Sequence, residues 1–281
     1  MSEPFKNLIH AQLVRDAAAV LRRADPGFDA KRFVRLASQG LEALEMKARA
    51  MHIADALEAT LHTDFARAAD VVEAALAPPE AGEAMAGLRG LRDGLRGWFL
   101  WPVGEYIARR GQATPERALQ ALHAVTQRFT AEFAIRPFIV RHPDVVWPTL
   151  QRWCHDESAH VRRLVSEGSR PRLPWGLQLK TLVQDPSPTL PLLRALQDDP
   201  SDYVRRSVAN HLNDIAKDHP DVVAQWLQSH LPNAPAERRT LLRHASRTLI
   251  KQGDPQVLKI ALLDERAAGM ADRKSTRLNS S

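Results

Sequence analysis

The sequence predicts an all-α protein, an α-solenoid built from HEAT-like helical repeats. The segment WPTLQRWCHDESAHVRRLVSE at 147–167 aligns without gaps on LPLLRALQDDPSDYVRRSVAN at 190–210, an offset of 43 residues. The pentapeptide HPDVV occurs at 142–146 and again at 219–223, and LLRHASRTL at 241–249 is a looser third copy. Strand-like alternation is nearly absent, while Ala, Leu, Arg and Glu dominate, which favours helices. Self-similarity with a period of about 40 residues is typical of a HEAT-type solenoid.

The copied unit is predicted to contain two helices. The first is expected to begin near Pro148 or Pro191, because proline suits the first turn, where its missing N–H has no intrahelical partner. An Asp-rich turn follows, with Ser158 and Ser201 placed as N-caps of the second helix.

The second helix of each copy is predicted to bury one stripe and to present a polar column on its other face. Steps of three and four residues define the buried stripe, which comprises Val161, Leu164 and Val165, and in the copy Val204, Val208, Leu212 and Ile215. The opposite face carries Arg162, Arg163, Glu167 and Arg170, and in the copy Arg205, Arg206, Asn210 and Asn213.

The remaining chain is predicted to form further helices joined by short turns. Apolar periodicity indicates helices over 7–23, 30–44, 46–61, 64–76 and 115–133, a short helix within 98–111 and a new one from 253. Residues 77–82 are expected to be a loop, and the closely spaced glycines of 87–97 favour a loop or frayed turn. We expect one solenoid domain over 1–271, with N-terminal helices in 1–134 and the clear repeats in 135–263.

The last ten residues are expected to be foreign to the natural chain. DRKSTRLNSS at 272–281 is similar to an in-frame translation of a sequencing adapter, which predicts that the natural sequence breaks off near Met270. Without the three basic residues and one acidic residue of this tail, the net charge falls from +6 to +4. Such a mild excess is a weak argument for nucleic acid by itself.

Composition and motifs bound the compartment and the chemistry. The single Cys154 rules out an internal disulfide framework and fits a reducing cytosol. No signal peptide and no apolar run of membrane-spanning length occur, so a cytoplasmic location is expected. Metal-ligand spacings and phosphate-binding glycine motifs are lacking, and neither a metal nor a cofactor is expected. Cys154, between Trp153 and His155, favours a core residue over a nucleophile.

Two carboxylates fall in unusual settings. Glu132 lies in the apolar run FTAEFAIRPFI, where an acid must be paired or partly desolvated, and such acids are functional candidates. The alternative is a surface ion pair with Arg128. Glu167 occupies the place of Asn210 in the copy, and its alternative is a surface pair with Arg163, although Arg before Glu is the less favourable i, i+4 order.

Arginine and asparagine at helix-turn intervals suit a phosphate backbone. An ordinary solvated face is the alternative for these side chains. Trp175 could stack on a base or sugar, or it could fill a gap between repeats. The predicted DNA contacts are Arg163, Arg170, Trp175, Arg206, Asn210, Asn213, Arg243 and Arg247.

Several motifs resemble the AlkC branch of the HEAT-repeat DNA alkylation repair glycosylases. They are EPFKNL, EYIARRG, FTAEFAIRPFI, VRRLVSEGSRPRLPWG, DPSPTLPLL and DPSDYVRRSVANHLNDIAKDHPDVV, and the similarity runs from about residue 3 to residue 263. The resemblance implies a bacterial, monofunctional, cofactor-free and monomeric enzyme that acts on alkylated double-stranded DNA. It would excise cationic bases such as 3-methyladenine and 3-methylcytosine while leaving the lesion stacked, in contrast to flipping glycosylases.

The same resemblance places Glu132 and Glu167 at the positions of the active-site acids and Trp175 near the lesion-facing surface. Some members carry an immunoglobulin-like C-terminal domain that helps to hold DNA. A non-catalytic HEAT scaffold that binds DNA or a protein is the second hypothesis. Release of free base from methylated DNA discriminates the two.

Overall fold

The computed structural model describes residues 4–83, 90–91 and 93–260, and within them the chain is all-helical, as predicted. The only extended pairing in that part of the chain is an isolated bridge between Leu76 and Leu95. The chain divides into two compact units: Met1–Ser169 with Pro174–Leu177, and Arg170–Leu173 with Gln178–Ser281. One solenoid domain over 1–271 stays a prediction, and the proposed tail at 272–281 lies outside the described residues.

The first unit contains helices α1 to α9. Their bounds are α1 Ala11–Ala24, α2 Ala30–Ser38, α3 Met46–Thr60, α4 Phe65–Ala75, α5 Leu100–Arg110, α6 Pro115–Thr126, α7 Arg136–Arg141, α8 Pro143–Trp153 and α9 Ala159–Gly168. A short 3₁₀ turn at Phe5–Leu8 precedes α1, and further 3₁₀ turns lie between helices at Leu41–Ala43, Gly97–Phe99 and Gly111–Ala113. The predicted loop at 77–82 is confirmed, whereas residues 87–89 and 92 of the glycine-rich stretch 87–97 lie outside the described part.

The second unit contains helices α10 to α15. Their bounds are α10 Lys180–Gln184, α11 Leu190–Leu196, α12 Asp202–Ile215, α13 Pro220–His230, α14 Ala236–Ala245 and α15 Arg247–Gln252. Residues 255–260 are helical as well, and residues 261–263 of the expected C-terminal helix lie outside the described range.

The repeated turn and the buried stripes follow the sequence prediction. All seven apolar residues of the two stripes are buried. Ser158 and Ser201 hold the N-cap positions, and the Ser201 hydroxyl accepts the Val204 N–H at 3.3 Å. In both copies an aspartate, Asp156 or Asp199, accepts the serine N–H at 2.9 Å.

One arginine in each repeat serves the turn rather than the predicted polar column. Arg162 donates to the carbonyls of Asp156 and Glu157, and Arg205 donates to the equivalent carbonyls in the copy, at 2.7–3.0 Å. Arg239 donates in the same way to the Ala234 carbonyl. These side chains satisfy orphan carbonyls beside the start of each helix, and they therefore stabilise the turn.

The prediction of one long helix over 115–133 is wrong. Helix α6 ends at Thr126, because the next carbonyls bond outside the helix: Gln127 accepts from Glu80 and Arg128 accepts from Gly97, each at 3.0 Å. The Arg128 guanidinium donates to carbonyls of Ala77 and Ala124. Residues 127–135 therefore form a sequence of turns that carries Glu132.

Other helix boundaries also differ from the prediction. Helix α8 begins at Pro143, so Pro148 lies inside it and removes one hydrogen bond, whereas Pro191 does lie in the first turn of α11. Helix α1 begins after residue 7 because the His10 ring caps it, accepting from Leu13. Helix α2 ends early and a left-handed Gly40 follows. The third copy at 241–249 is interrupted at Ser246.

Candidate active site

The two singled-out carboxylates meet at one guanidinium in the first unit. An Arg163 Nη1 atom lies 2.7 Å from Glu132 Oε2, and Nη2 lies 3.7 Å from Glu167 Oε1. The Thr130 hydroxyl donates to Glu132 Oε2 at 2.7 Å and accepts from Arg163 at 3.3 Å. The predicted alternative partner of Glu132, Arg128, bonds to main-chain carbonyls instead. The Arg163 guanidinium is therefore shared between two carboxylates.

The position of Glu167 is electrostatically unfavourable for folding. It is the second-to-last residue of α9, and its side chain is only 7% exposed. A carboxylate near a helix C-terminus opposes the helix dipole, and a buried carboxylate needs partners. Arg163, one turn earlier, partly compensates the charge. A residue held at such a cost is a candidate for function.

Gly168 permits the close approach that brings the two carboxylates together. A Cβ atom at this position would lie 2.6 Å from Ile135 Cγ2 and 4.0 Å from Glu132 Cα. The last turn of α9 therefore packs directly on the turns that carry Glu132. Only glycine fits there without moving one of the two segments.

Arg136 fastens the segment that follows α9. Its side chain is fully buried, and it donates to the Gly168 carbonyl at 2.8 Å and to the Leu177 carbonyl at 2.5 Å. These bonds fix both ends of the segment that contains Trp175. Arg136 was not predicted from the sequence, and its one signal was a charged residue within the mainly apolar run FTAEFAIRPFI.

An aromatic cluster, Phe5, Trp98, Trp101, Phe129, Phe133 and Trp175, accompanies the carboxylates. Phe133, the neighbour of Glu132, stacks on the buried Trp101 with ring centroids 5.0 Å apart. Trp101 lies parallel to Trp175, with centroids 6.0 Å apart and planes 9° apart. The two stacks link the Glu132 turn to Trp175.

Trp175 is exposed and its backbone is strained. Its side chain is 58% exposed, so it does not fill an internal gap. Its φ is +64°, in the left-handed region, which is unfavourable for an aromatic residue. The Lys47 ammonium donates to its carbonyl at 2.9 Å. Strained residues of this kind concentrate at functional sites.

Arg170, a predicted DNA contact, has an internal partner in the second unit. Its Nε donates to Asp214 at 2.8 Å, and Asp214, only 2% exposed, also accepts from Lys217 at 2.8 Å. The pairing gives Arg170 a role in folding, and its contact with DNA stays a prediction.

Three other predicted contacts form a network on α12 and the start of α15. Asn210 Oδ1 lies 2.9 Å from His244 Nε2 and 3.4 Å from Arg247 Nη2. The Asn213 side chain is buried and accepts the Thr248 N–H at 3.2 Å. Burial and the charges of Arg247 and Arg206 lower the pKa of His244, which keeps its imidazole neutral near pH 7.

The remaining predicted DNA contacts are available at the surface. Arg206 has a side chain 63% exposed that pairs with the exposed Asp202 at 3.0 Å, and Arg243 is exposed. Cys154 is buried, as predicted, and burial raises the pKa of its thiol to about 11. A thiol so rarely ionised is a poor nucleophile.

Within residues 4–83, 90–91 and 93–260, no three His, Cys, Asp or Glu side chains are grouped to hold a metal ion. No helix in this same part of the chain is long and apolar enough to cross a membrane.

Comparison with known proteins identifies the family to which this chain belongs. The family model of the DNA alkylation repair enzyme matches residues 126–249, which include Glu132, Arg163 and Glu167. The chain is 36% identical over 261 residues to the Uncharacterized protein YhaZ of Bacillus subtilis (strain 168), spanning 91% of this chain and 67% of that protein.

A solved structure extends the similarity to three dimensions. The Pseudomonas fluorescens alkylpurine DNA glycosylase AlkC, bound to DNA containing an abasic site analog, matches with a TM-score of 0.81 and 33% identity, over 93% of this chain and 69% of that chain. The chain therefore belongs to the DNA alkylation repair enzyme family and has the helical-repeat solenoid fold of AlkC. Both the predicted fold class and the predicted resemblance are confirmed.

Proposed function

We propose that the protein is a monofunctional DNA glycosylase that hydrolyses the N-glycosidic bond of cationic alkylated bases, of the 3-methyladenine and 3-methylcytosine type. The convergence of Glu132 and Glu167 on Arg163, linked through Phe133 to an aromatic stack, is the observation that carries the proposal. The similarity to an alkylpurine DNA glycosylase over nearly the whole chain supports it.

The chemistry asks little of the protein at the base. An N-alkylated base that carries a positive charge is already a good leaving group, so it needs no general acid. As the bond breaks, positive charge moves to the deoxyribose, as in the oxocarbenium-like transition state of glycoside hydrolysis. A fixed carboxylate beside C1′ stabilises that state more than the ground state, and it can also orient the attacking water.

The magnitude of this effect can be bounded. A carboxylate about 4 Å from a unit positive charge gains about 4 kcal/mol at an effective dielectric constant of about 20, which corresponds to about a thousandfold in rate. Part of this attraction already acts on the cationic base before the bond breaks. We therefore expect each carboxylate to contribute somewhat less, about a hundredfold.

Duplex DNA would be held through its phosphates by a single copy of the chain. The exposed Arg206, Arg243 and Arg247, together with Asn210, are suited to phosphate oxygens, and the exposed Trp175 indole is suited to stacking on a base or sugar. The AlkC resemblance supports three further parts of the proposal. The base is excised while it stays stacked, no cofactor takes part, and the protein is associated with the nucleoid when it binds DNA. A 2-aminopurine next to the lesion would brighten on enzyme binding if the base were flipped instead.

Replacement of the two carboxylates tests the proposal. Glu132→Gln and Glu167→Gln should each slow release of 3-methyladenine from methylated duplex DNA about a hundredfold, because each removes a charge that stabilises the transition state. DNA affinity should change little. Glu116→Gln is the matched control, since it removes an exposed carboxylate from α6 in the same unit; it should react at the parent rate.

The alternative is a non-catalytic helical scaffold that binds DNA or a protein. On that hypothesis the parent protein binds duplex DNA without releasing any base. If the parent and both glutamine variants release base at equal rates, the glycosylase activity is supported but the catalytic role of Glu132 and Glu167 is rejected.

A further inference from the structure

We infer that Phe5, which lies on the N-terminal turn Phe5–Leu8, is a positioning residue of the reaction site and acts by ordering the Trp175 indole. The inference rests on the proposed function, because Trp175 matters only if its ring faces the reacting nucleotide. The inference adds Phe5 to the proposed site, although Phe5 precedes Glu132, Glu167 and Trp175 by at least 127 positions in the sequence.

Phe5 is placed to brace Trp175. Its ring centroid lies 6.0 Å from Trp175 and 4.8 Å from Trp98, the latter at an edge-to-face angle of 86°. Contacts of this geometry are favourable between aromatic rings. Phe5 nevertheless remains 47% exposed, so it contributes little to the core and its position calls for another explanation.

Trp175 needs such a brace because its own backbone does not favour its position. The left-handed φ of +64° must be held by surrounding contacts. Those on its side chain are the parallel Trp101 ring on one side and Phe5 on another, and Lys47 holds its carbonyl. Without the Phe5 ring, an indole that is 58% exposed gains freedom to rotate away from Trp101.

The turn that carries Phe5 is fastened by a fully buried guanidinium. Arg49 on α3 is 1% exposed, and it donates to the carbonyls of Lys6 at 3.1 Å and Ile9 at 2.7 Å. The same side chain also donates to the carbonyls of Leu44 and Glu42. This buried arginine, which bonds mainly to main-chain carbonyls, fixes the backbone immediately after Phe5, and Arg136 holds the two ends of the segment of Trp175 in a similar way.

Two buried arginines, Arg49 and Arg136, thus hold two surface segments whose aromatic rings, Phe5 and Trp175, lie next to each other. Rings ordered before the substrate arrives lower the entropy that must be lost at the reaction step. Loss of Phe5 should therefore reduce the rate of base release at saturating DNA more than it reduces DNA affinity.

The experiment combines kinetics with ¹⁹F NMR on protein labelled with 5-fluorotryptophan. The sequence has six tryptophans, and the Trp175→Phe variant assigns the resonance of Trp175. Phe5→Ala should change the linewidth of that resonance, because the indole becomes free to leave its ordered position, and should slow release of 3-methyladenine about tenfold under saturating, single-turnover conditions. Phe5→Tyr should restore both. Asn7→Ala, an uncharged change in the same turn, is the matched control and should leave both unchanged.

Three results would overturn the inference. One is an unchanged Trp175 linewidth in Phe5→Ala, and another is release at the parent rate. A third is an equal further loss when Phe5→Ala is added to Trp175→Ala, because a residue that acts through the indole has no effect once the indole is gone. Failure of the parent to release any base would reject the proposed function instead, and the linewidths would still decide whether Phe5 orders Trp175.

Discussion

Arg163 is the residue on which the two candidate acids converge, and its charge has opposite consequences for folding and for chemistry. In the folded protein it compensates Glu132 and Glu167, whose side chains are 12% and 7% exposed. Complete neutralisation would remove the field that a cationic sugar needs. One guanidinium shared by two carboxylates meets both needs, because Arg163 alone cannot neutralise the two charges.

A second arginine, Arg170, forms an ion pair with the buried Asp214, and this pair stabilises the fold. We expect Asp214→Asn to lower the free energy of unfolding by about 3 kcal/mol, because it leaves Arg170 and Lys217 without their buried acceptor charge. Urea denaturation of the full chain measures this.

The neighbouring pair of Arg172 and Asp218 provides the control. Its atoms are as close, at 2.7 Å, but its side chains are 36% and 24% exposed. Arg172 lowers the pKa of Asp218, so this pair stabilises the fold above the unfolded pKa of the carboxyl and less as the pH falls through the folded one. Asp218→Asn should cost about 1 kcal/mol or less at pH 7. Equal costs for the two variants would contradict the structural role of Asp214.

At the residue scale, sequence reasoning identified acids by context but not their partners. Glu132 stood out because an acid interrupts an apolar run, and Glu167 because a repeat supplied Asn210 for comparison. The Arg163 bridge to Glu132 joins residues 31 apart through a turn that local periodicity does not encode. Arg49 and Arg136 were missed for the same reason, since their acceptors are distant main-chain carbonyls.

At the scale of elements, the packing of α9 on the turns of 127–135 sets the geometry of the candidate site. We expect Gly168→Ala to destabilise the protein by about 1–3 kcal/mol, the usual cost of overpacking. The added methyl group would push α9 away from Ile135. Base release should therefore fall more than stability alone explains. Thermal unfolding and single-turnover kinetics measure the two effects.

Gly82→Ala is the matched glycine control, because a Cβ there meets nothing within 4 Å. It should match the parent in both assays. A Gly168→Ala variant with parental stability and rate would show that the close approach does not fix the site.

Helix existence was predictable from periodicity, while several boundaries were not. The apolar stripe of 115–133 continued past Thr126, but long-range main-chain bonds from Glu80 and Gly97 ended the helix there. Local signals also compete: of the two prolines expected to start a helix, Pro191 does so and Pro148 does not, because Pro143 precedes it in a better position.

At the scale of the whole molecule, binding to DNA should depend on a limited number of exposed cations. We expect Arg206→Gln to weaken binding to undamaged and damaged duplexes alike and to reduce the slope of log affinity against log salt by about 1, because one phosphate contact is lost. Fluorescence anisotropy over a salt series measures this slope. Arg172→Gln, which breaks an exposed pair but is no predicted contact, should leave the slope unchanged; identical slopes in all three proteins would remove Arg206 from the interface.

The family was the most predictable property of the whole chain. Motifs such as FTAEFAIRPFI and VRRLVSEGSRPRLPWG are long enough to identify it, and the 43-residue repeat identified the solenoid independently. The division into two compact units was not predictable, because the segment 170–177 contributes residues to both.

The central claim is that Glu132 and Glu167 stabilise positive charge on the sugar. Its most direct test compares the affinity for duplex DNA with a cationic 1-azaribose abasic nucleotide to that for a neutral tetrahydrofuran nucleotide. The parent should prefer the cationic analogue by about a hundredfold, and Glu132→Gln and Glu167→Gln should each lose most of that preference while Glu116→Gln keeps it. A parent that binds the two analogues equally, or glutamine variants that retain the full preference, would contradict the account.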